Sequence, residues 1–372
     1  MKRFFFIIFL LPLLVGCWDK VEIEQRLFVT AIGIDLNHEK GEEKDKLTVT
    51  YQYPNISAIG KNAESGTSTF LLTANSSSVF QAGRQFMSRV PFPFHYKHLK
   101  VIILGEDILK EESLMRVVLD ELNRDTKINK RVRILATDRT AKEILEAILG
   151  KEQRTEGTIY ATVRDNTKTS SFTSKSLADL ITDFDISGVT LVPKVSLDEE
   201  KNFVISGGAI LKDYKFLDWL DANENKIINL INGNMVVDTI DVIYEGNLIS
   251  YAITETTTNR NIKFNETITA NIDITIEGYL QGYILDDKNT VSDNETVLSM
   301  EKTLEEEIMK VTRRTLGHLK DVKADLLGIG EHLSKFHPRE WEKIEDQWDE
   351  VFADAKININ VDVKMSRTGL TR

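Results

Sequence analysis

Cysteine is all but missing from this chain: there is one in 372 residues, at position 17. A single thiol excludes an internal disulfide and any cysteine-cluster metal site. Surplus positive charge is missing too. Lys and Arg number 47 against 58 Asp and Glu, for a net charge of -11. So acidic a chain lacks the electrostatic footprint of a nucleic-acid binder and is repelled by anionic lipid headgroups. Long apolar runs are equally scarce. Beyond the first seventeen residues none exceeds a few positions, Val101-Ile102-Ile103-Leu104 being typical. A spanning helix needs about 20 apolar residues, so no later segment reads as one. What remains is ordinary globular composition, 41% hydrophobic and 28% charged. At roughly 150 residues per domain the length suggests two domains or three.

The one apolar run stands at the start. Lys2 and Arg3 precede an apolar stretch from Phe4 to Val15 that is too short to cross a bilayer as a helix. A basic beginning followed by a short apolar core is the shape of an export signal. Gly16 then stands directly before Cys17. Leu14-Val15-Gly16-Cys17 resembles the lipobox of bacterial lipoproteins. That resemblance implies cleavage between Gly16 and Cys17, a diacylglyceryl group on the thiol, and N-acylation of the new amino terminus. The residue types suit the chemistry, because lipid transfer needs a thiol nucleophile and the peptidase needs small or aliphatic side chains upstream. The competing reading is an uncleaved anchor with an incidental cysteine, and the length of the run opposes it. Removing residues 1–16 takes Lys2 and Arg3 from the 47 basic residues and no acidic one, leaving 45 against 58, a net of -13. The lipid must therefore supply the attachment, and two acyl chains suffice at about 0.8 kcal/mol per buried CH₂.

The rest reads as an α+β body in more than one domain. Val29 to Leu36 and Leu47 to Tyr53 are β-branched and aromatic, with a polar connection, and predict two strands. Thr67 to Thr73 is a third candidate, and Ser76 to Val90 reads as a helix stopped by Pro91. Leu99 to Leu104 predicts a strand buried on both faces. A helix bearing Leu114, Val117, Val118 and Leu122 follows, then a strand Val132 to Ala136 and a helix Thr140 to Leu149. This alternation indicates a mixed α/β layer. Residues 165–176 read as an exposed loop, Leu177 to Phe184 as a short helix, and Val189 to Val195 with Phe203 to Leu211 as a strand pair.

The second half begins with strands Met235 to Tyr244, Leu248 to Thr257 and Ile268 to Gly278, which alternate apolar and polar residues and predict a mainly antiparallel sheet. A long helix from Asp293 to Asp321 carries the stripe Val297, Met300, Leu304, Ile308, Val311 and Leu319. Such a stripe packs on its own sheet or docks on a partner. His337-Pro338 starts a last helix with Trp341, Ile344, Trp348 and Val351 on one face, and residues 357–365 close the chain as a strand. The expected organisation is a signal peptide 1–16, an N-terminal domain 17–197 and a C-terminal domain 198–372, with a further division near residue 285.

Cys17-Trp18-Asp19, Glu22-Ile23-Glu24 and Phe28-Val29-Thr30-Ala31-Ile32-Gly33-Ile34-Asp35 at the mature start resemble the opening of the Ger(x)C family. Asp325-Leu326-Leu327-Gly328-Ile329-Gly330, Pro338, Trp341, Trp348 and Arg367-Thr368-Gly369 resemble its far end. Members are the lipoprotein C subunits of germinant receptors in endospore-forming bacteria. The resemblance implies a multidomain α+β fold without known enzymatic activity. It implies a lipid-anchored position at the outer face of the cell or spore inner membrane. It also implies assembly with integral membrane A-type and B-type subunits into a complex that answers amino acids, sugars or nucleosides.

Enzyme readings find little purchase. His95 and His98 have no nearby carboxylate motif, and His318, His332 and His337 are too scattered for a zinc ligand spacing. Gly328-Ile329-Gly330 begins like a dinucleotide loop, but position 333 is Leu and the third glycine is missing. No Walker A or G-x-S-x-G motif occurs. Asp346 and Glu350 read as a solvated helix face rather than a catalytic dyad. Catalytic, metal-binding and cofactor-binding residues are therefore expected to be absent, with Cys17 as the site residue. Gly328 and Gly330 read as a left-handed helix cap in preference to a partner contact, and Asp35 as the end of a strand. The alternative function is a solute-binding lipoprotein of a transporter, a class built from two repeated doubly wound lobes. An envelope hydrolase, the third possibility, needs a clustered nucleophile or metal site.

Overall fold

The computed structural model describes residues 25–39, 45–55, 69–149, 155–164, 169–235, 237–265, 267–283 and 294–366. Its strands in the first half are β1 (Leu27–Phe28), β2 (Ala31–Leu36), β3 (Leu47–Pro54), β4 (Thr69–Ser76), β5 (Phe94–His95), β6 (Val101–Leu104), β7 (Arg133–Ala136), β8 (Val189–Leu197), β9 (Phe203–Lys212) and β10 (Lys215–Leu220). β1 and β5 form a small parallel pair, and the others make one eight-stranded sheet in the order β10-β9-β8-β7-β6-β2-β3-β4.

The centre of that sheet is parallel and its two flanks are antiparallel. A parallel centre needs helices on both faces, and the side chains divide accordingly. Ile32, Ile34, Ile102, Leu104 and Ile134 point into one apolar cluster, while Ala31, Val101, Ile103 and Leu135 point into another. The first face is covered by α1 (Val79–Phe86), α2 (Glu106–Lys110), α3 (Glu112–Arg124) and α6 (Leu177–Ile186). The second is covered by α4 (Ala141–Leu149) and α5 (Thr155–Arg164). α1 is shorter than Ser76 to Val90, because Ser78 caps its start by accepting from Gln81 N at 3.1 Å and the chain turns at Met87. In α3 the buried stripe is Met115, Val118, Leu119 and Leu122, and Val117 points outward.

The second half supplies α7 (Ala222–Ile231), strands β11 (Asp238–Tyr244), β12 (Asn247–Asn265) and β13 (Thr267–Tyr283), and helix α8 (Asn294–Asp321). Helices α9 (Ile329–Phe336), α10 (Pro338–Trp341) and α11 (Trp348–Asp354) and strand β14 (Lys356–Met365) follow. The sheet order is β11-β12-β13-β14. Its first three strands are antiparallel, and β14 joins β13 in parallel from Thr269↔Lys356 to Gly278↔Met365. α8 lies on its own sheet through Val297, Met300, Leu304, Ile308 and Leu319. The eleven-residue step from Ile308 to Leu319 is filled by Thr312 and Thr315, whose hydroxyls donate to the carbonyls of Ile308 and Val311 at 2.8 and 2.9 Å. Each is buried without an unpaired oxygen. α8 also engages the outer edge of β14 at its far end, because Glu305 and Glu301 accept from Val363 N at 3.1 Å and Met365 N at 2.6 Å. Occupied N–H groups blunt that part of the edge as a template for further strands.

The eight-stranded sheet runs on through Leu220, and one apolar cluster joins its Val189, Leu191, Ile210 and Leu220 to α7, α8 and the second sheet. The two sheets differ in strand number and in strand direction. The described residues therefore form no pair of repeated doubly wound lobes. No helix among them is long and apolar enough to cross a membrane.

Candidate functional site

The two segments that carry the family resemblance each bury an aspartate. In β2, Asp35 is 5% exposed. Its Oδ1 accepts from Ala141 N at 2.6 Å and its Oδ2 from Lys142 N at 3.0 Å, so it caps α4 from more than a hundred residues away. Burial pushes its carboxyl up to about 6 from the ordinary 3.8, against the pull of the two N–H groups, with Glu143 and Asp107 adding to the rise. Two glycines make the approach possible. A Cβ on Gly33 would lie 3.0 Å from Leu145 Cδ1 and 3.1 Å from Ala141 Cβ, and one on Gly105 would overlap Asp35 Oδ1. Asp35 is thus a helix cap in addition to a strand residue.

Asp325 does the same within one turn. Its carboxylate accepts from Leu327 N and Ile329 N at 3.2 Å and from Gly330 N at 2.7 Å, gathering the free donors at the start of α9. Burial raises its pKa, opposed by those three N–H groups and by Arg260. Gly328 has φ +65°, the left-handed conformation its position demands, and stands before α9 rather than after a helix. Gly330 is small for another reason: a Cβ there would lie 2.8 Å from Trp348 Cε2 and 3.0 Å from Trp341 Cη2. The two indoles meet edge to face with centroids 5.0 Å apart.

The turn 325–328 also forms one wall of a cleft of about 320 Å³. Lys175 faces it from the loop before α6, Asp183 and Ser187 from α6 and its end, Thr190 from β8, and Asn229, Asn232 and Asn234 from α7 and the turn beyond. Arg260 of β12 and Glu331 of α9 complete it. Several of these groups are already engaged. Lys175 pairs with Asp183, which also accepts from Thr190 Oγ1, both at 2.5 Å. Asn229 accepts from Thr173 Oγ1 at 3.1 Å and donates to Ser170 O at 3.1 Å. Arg260 Nη2 donates to Leu327 O, and Asn232 Nδ2 to Leu326 O at 2.9 Å. Arg260 Nε and Asn232 Oδ1 are cut off from water without a partner.

Of the residues singled out from the sequence, Cys17 and the bond after Gly16 lie outside the described residues, as do Trp18, Asp19, Glu22 to Glu24 and Arg367 to Gly369. His95 and His98 pack their rings on Phe28 at 5.7 and 4.8 Å. His318 bridges Glu224 at 3.0 Å and Asp218 at 3.2 Å. Burial works against its charge, but the two carboxylates prevail and raise its pKa. His332 lies against Phe336 and His337. Glu350 pairs with Lys323 on the surface. Among the described residues no group of three or more His, Cys, Asp or Glu is arranged to hold a metal ion. The cleft itself escaped the sequence reading because its walls come from five separated segments. The Asp221-x-x-Glu224 capping box that starts α7 was the one local signal available.

A family profile described as "Spore germination protein N-terminal domain" matches residues 19–197, and one described as "Spore germination B3/ GerAC like, C-terminal" matches residues 206–369. Together they take in nearly the whole chain. Among curated proteins of Bacillus subtilis (strain 168), "Spore germination protein YndF" is 25% identical over 96% of this chain and 94% of its own length. "Spore germination protein A3" is 25% identical over 94% and 93%. "Spore germination protein B3" is 22% identical over 99% and 98%. A solved structure, "Crystal Structure of the GerBC protein", superposes with a TM-score of 0.61 at 18% identity, covering 91% of this chain and 98% of that one. With both profiles in order along one chain, the motif around Asp35 built into strand β2 and that around Asp325 into the turn before α9, this protein belongs to the Ger(x)C family of germinant-receptor C subunits, the proteins of spore germination.

Proposed function

We propose that the chain is the lipid-anchored C subunit of a nutrient germinant receptor. Cys17 carries the diacylglyceryl and N-acyl groups after cleavage behind Gly16 and holds the protein at the outer face of the cell or spore inner membrane. Integral membrane subunits of A and B type are its partners. Its role is non-catalytic: surface buried against those subunits stabilises the assembly or passes ligand occupancy through it.

The observation that carries this reading is the full-length likeness to spore germination proteins, in order and across both halves. The tether is supported by Leu14-Val15-Gly16-Cys17 and by a surface too acidic to hold an anionic bilayer unaided. Cys17→Ala tests it in spores. The expected result is loss of labelled palmitate from the chain, its release from the membrane fraction, and slower germination. A Cys17→Ala chain still acylated and membrane-bound would refute the tether. Failure of the wild-type chain to crosslink to any multispanning protein in the spore membrane would refute the assembly.

A further inference from the structure

The chain is acidic as a whole, but its charge is not spread evenly. Residues 69–105 hold four Lys or Arg and no Asp or Glu, and residues 126–137 hold four more and again no acid. The fold brings parts of both stretches to one edge. The parallel strands β2, β6 and β7 start level with one another, at Ala31↔Val101 and Val101↔Arg133. Lys100 N donates to Thr30 O and Arg133 N to Lys100 O, both at 2.9 Å, so the segments leading into the three strands run side by side. The pair of β1 and β5 adjoins them, since Val29 N donates to His95 O at 3.1 Å. The tight turn Tyr96–His98 carries Lys97, and the loop between α3 and β7 carries Lys127 and Arg131. His95 registers the crowding: burial lowers its pKa first, and the positive charges of Arg26, Lys97, His98 and Lys127 lower it further. Lys97, Lys127 and Arg131 are exposed, and among the described residues none of the three forms an ion pair. Asp125 beside them turns its carboxylate to the backbone N–H of Lys127 at 2.6 Å.

The far ends of the same strands have the opposite sign. There a cavity of about 280 Å³ is lined by the carboxylates of Asp35, Glu106, Asp107, Asp138 and Glu143 against Arg139. The body is therefore polarised along its parallel strands, basic where they start and acidic where they end. The basic edge is also where the chain enters the fold. Eight peptide steps part Cys17 from Gln25, a reach of at most about 30 Å. The net negative charge does not forbid contact, because salt screens charges beyond about 8 Å and the local face decides at close range. A bilayer holding the acyl chains reaches this edge as a tethered neighbour, an advantage that no nucleic acid has. We propose that the strand-start edge of the first sheet is a bilayer-docking face, with Lys97, Lys127 and Arg131 seated on anionic phospholipid headgroups and the acidic strand ends turned away from the membrane. The acyl chains hold the protein, and this face sets which way it lies. The inference rests on the Cys17 tether for which edge meets the membrane.

The test places the full-length acylated chain on vesicles of phosphatidylcholine, alone or with about one third phosphatidylglycerol, that carry a headgroup-labelled energy acceptor. Ser113 and Thr126 are exposed at opposite ends of α3, about 20 Å apart. With Cys17 acylated, Ser113→Cys or Thr126→Cys takes a single donor dye. On phosphatidylglycerol vesicles the dye at 126 should transfer more strongly than the dye at 113. On phosphatidylcholine, or in about 1 M salt, the difference should vanish. The triple variant Lys97→Glu, Lys127→Glu, Arg131→Glu breaks no ion pair, should keep the unfolding midpoint, and should abolish the difference while the chain stays on the vesicles. Equal transfer from the two positions on phosphatidylglycerol, a difference that survives the triple reversal, or tighter retention on a DNA duplex than on these vesicles overturns the proposal. Loss of the tether reads differently, as a chain that does not float with neutral vesicles. Flotation with phosphatidylglycerol vesicles then decides: it should fall about a hundredfold in the triple variant, at about fivefold per basic residue, and unchanged flotation overturns the proposal.

Discussion

Asp35 and Asp325 both bury a carboxylate against backbone N–H groups, yet they draw those groups from opposite distances. Asp325 collects three donors from the five residues that follow it. Asp35 collects two from α4, over a hundred residues downstream. The local cap needs only the residues of its own turn. The distant cap exists only once β2, β6 and α4 have assembled around Gly33 and Gly105. One is a property of a hexapeptide and the other a property of a sheet. The same residue type in two short motifs therefore reports on two levels of structure.

The comparison breaks if the two caps are equally costly to remove. Asp325→Ala strands three N–H groups and leaves Arg260 without its nearest compensating charge, for an expected loss of about 3–5 kcal/mol in a denaturant titration. Asp35→Ala should cost clearly less. Next in size is the pH dependence of Asp35. Its pKa near 6 against the ordinary 3.8 means that the folded state holds the proton more tightly than the unfolded chain. That contribution is complete below about pH 4 and is lost as the pH rises through the folded value. Relative to Asp35→Asn, the wild type should lose up to about 3 kcal/mol between acid and neutral pH, measured as the difference between paired melts. A flat difference would show that the carboxylate is not sealed from water as its position implies.

The glycines sharpen the contrast further. Gly330→Ala drives a methyl into two indole rings that have little room to move and should cost about 1–3 kcal/mol. Gly33→Ala meets Leu145 Cδ1 at 3.0 Å and Ala141 Cβ at 3.1 Å, both looser than the 2.8 Å approach to Trp348 at Gly330, and should cost less than Gly330→Ala in the same thermal melts. The smallest effect belongs to His318, which ties α8 to the cap of α7 and to Asp218 of β10. Its raised pKa makes this bridge strongest below its ordinary value of 6.5 and weaker as the pH climbs through the folded one. His318→Gln should remove a pH-dependent contribution of about 1 kcal/mol or less, read from melts at pH about 6 and 8.

Much of the architecture was legible because period and propensity agreed. The run Ile268 to Ile276 and the stripe of α8 announced themselves, and the buried quartet 101–104 lies in the sheet centre as expected. α7 was missed because Asn225 and Asn229 occupy buried positions on it, satisfied by Ser170 O, which spoils the apolar periodicity. The parallel direction of β14 has no local signature at all, since alternation looks the same in either orientation. The last helix is split into α10 and α11 by a short tight turn at Glu345–Gln347, although Trp341, Ile344, Trp348 and Val351 still face one core. Asp35 and Asp325 were visible as letters in a motif, but nothing in their neighbours specified that both would be withdrawn from water.

The parallel pairing of β14 with β13 sets a timetable. Some seventy residues, including all of α8, separate the partners, and ten register pairs wait on the second of them. Ribosomes deliver Lys356–Met365 after the other three strands and α8, so the four-stranded sheet cannot close before then, and loop closure over that distance favours waiting for a docked α8 to shorten the search. Until then the outward row of β13 is an open strand edge. A nascent chain halted before Lys356 should therefore be more prone to self-association than one halted after Met365, whose β14 covers β13 from Thr269 to Gly278.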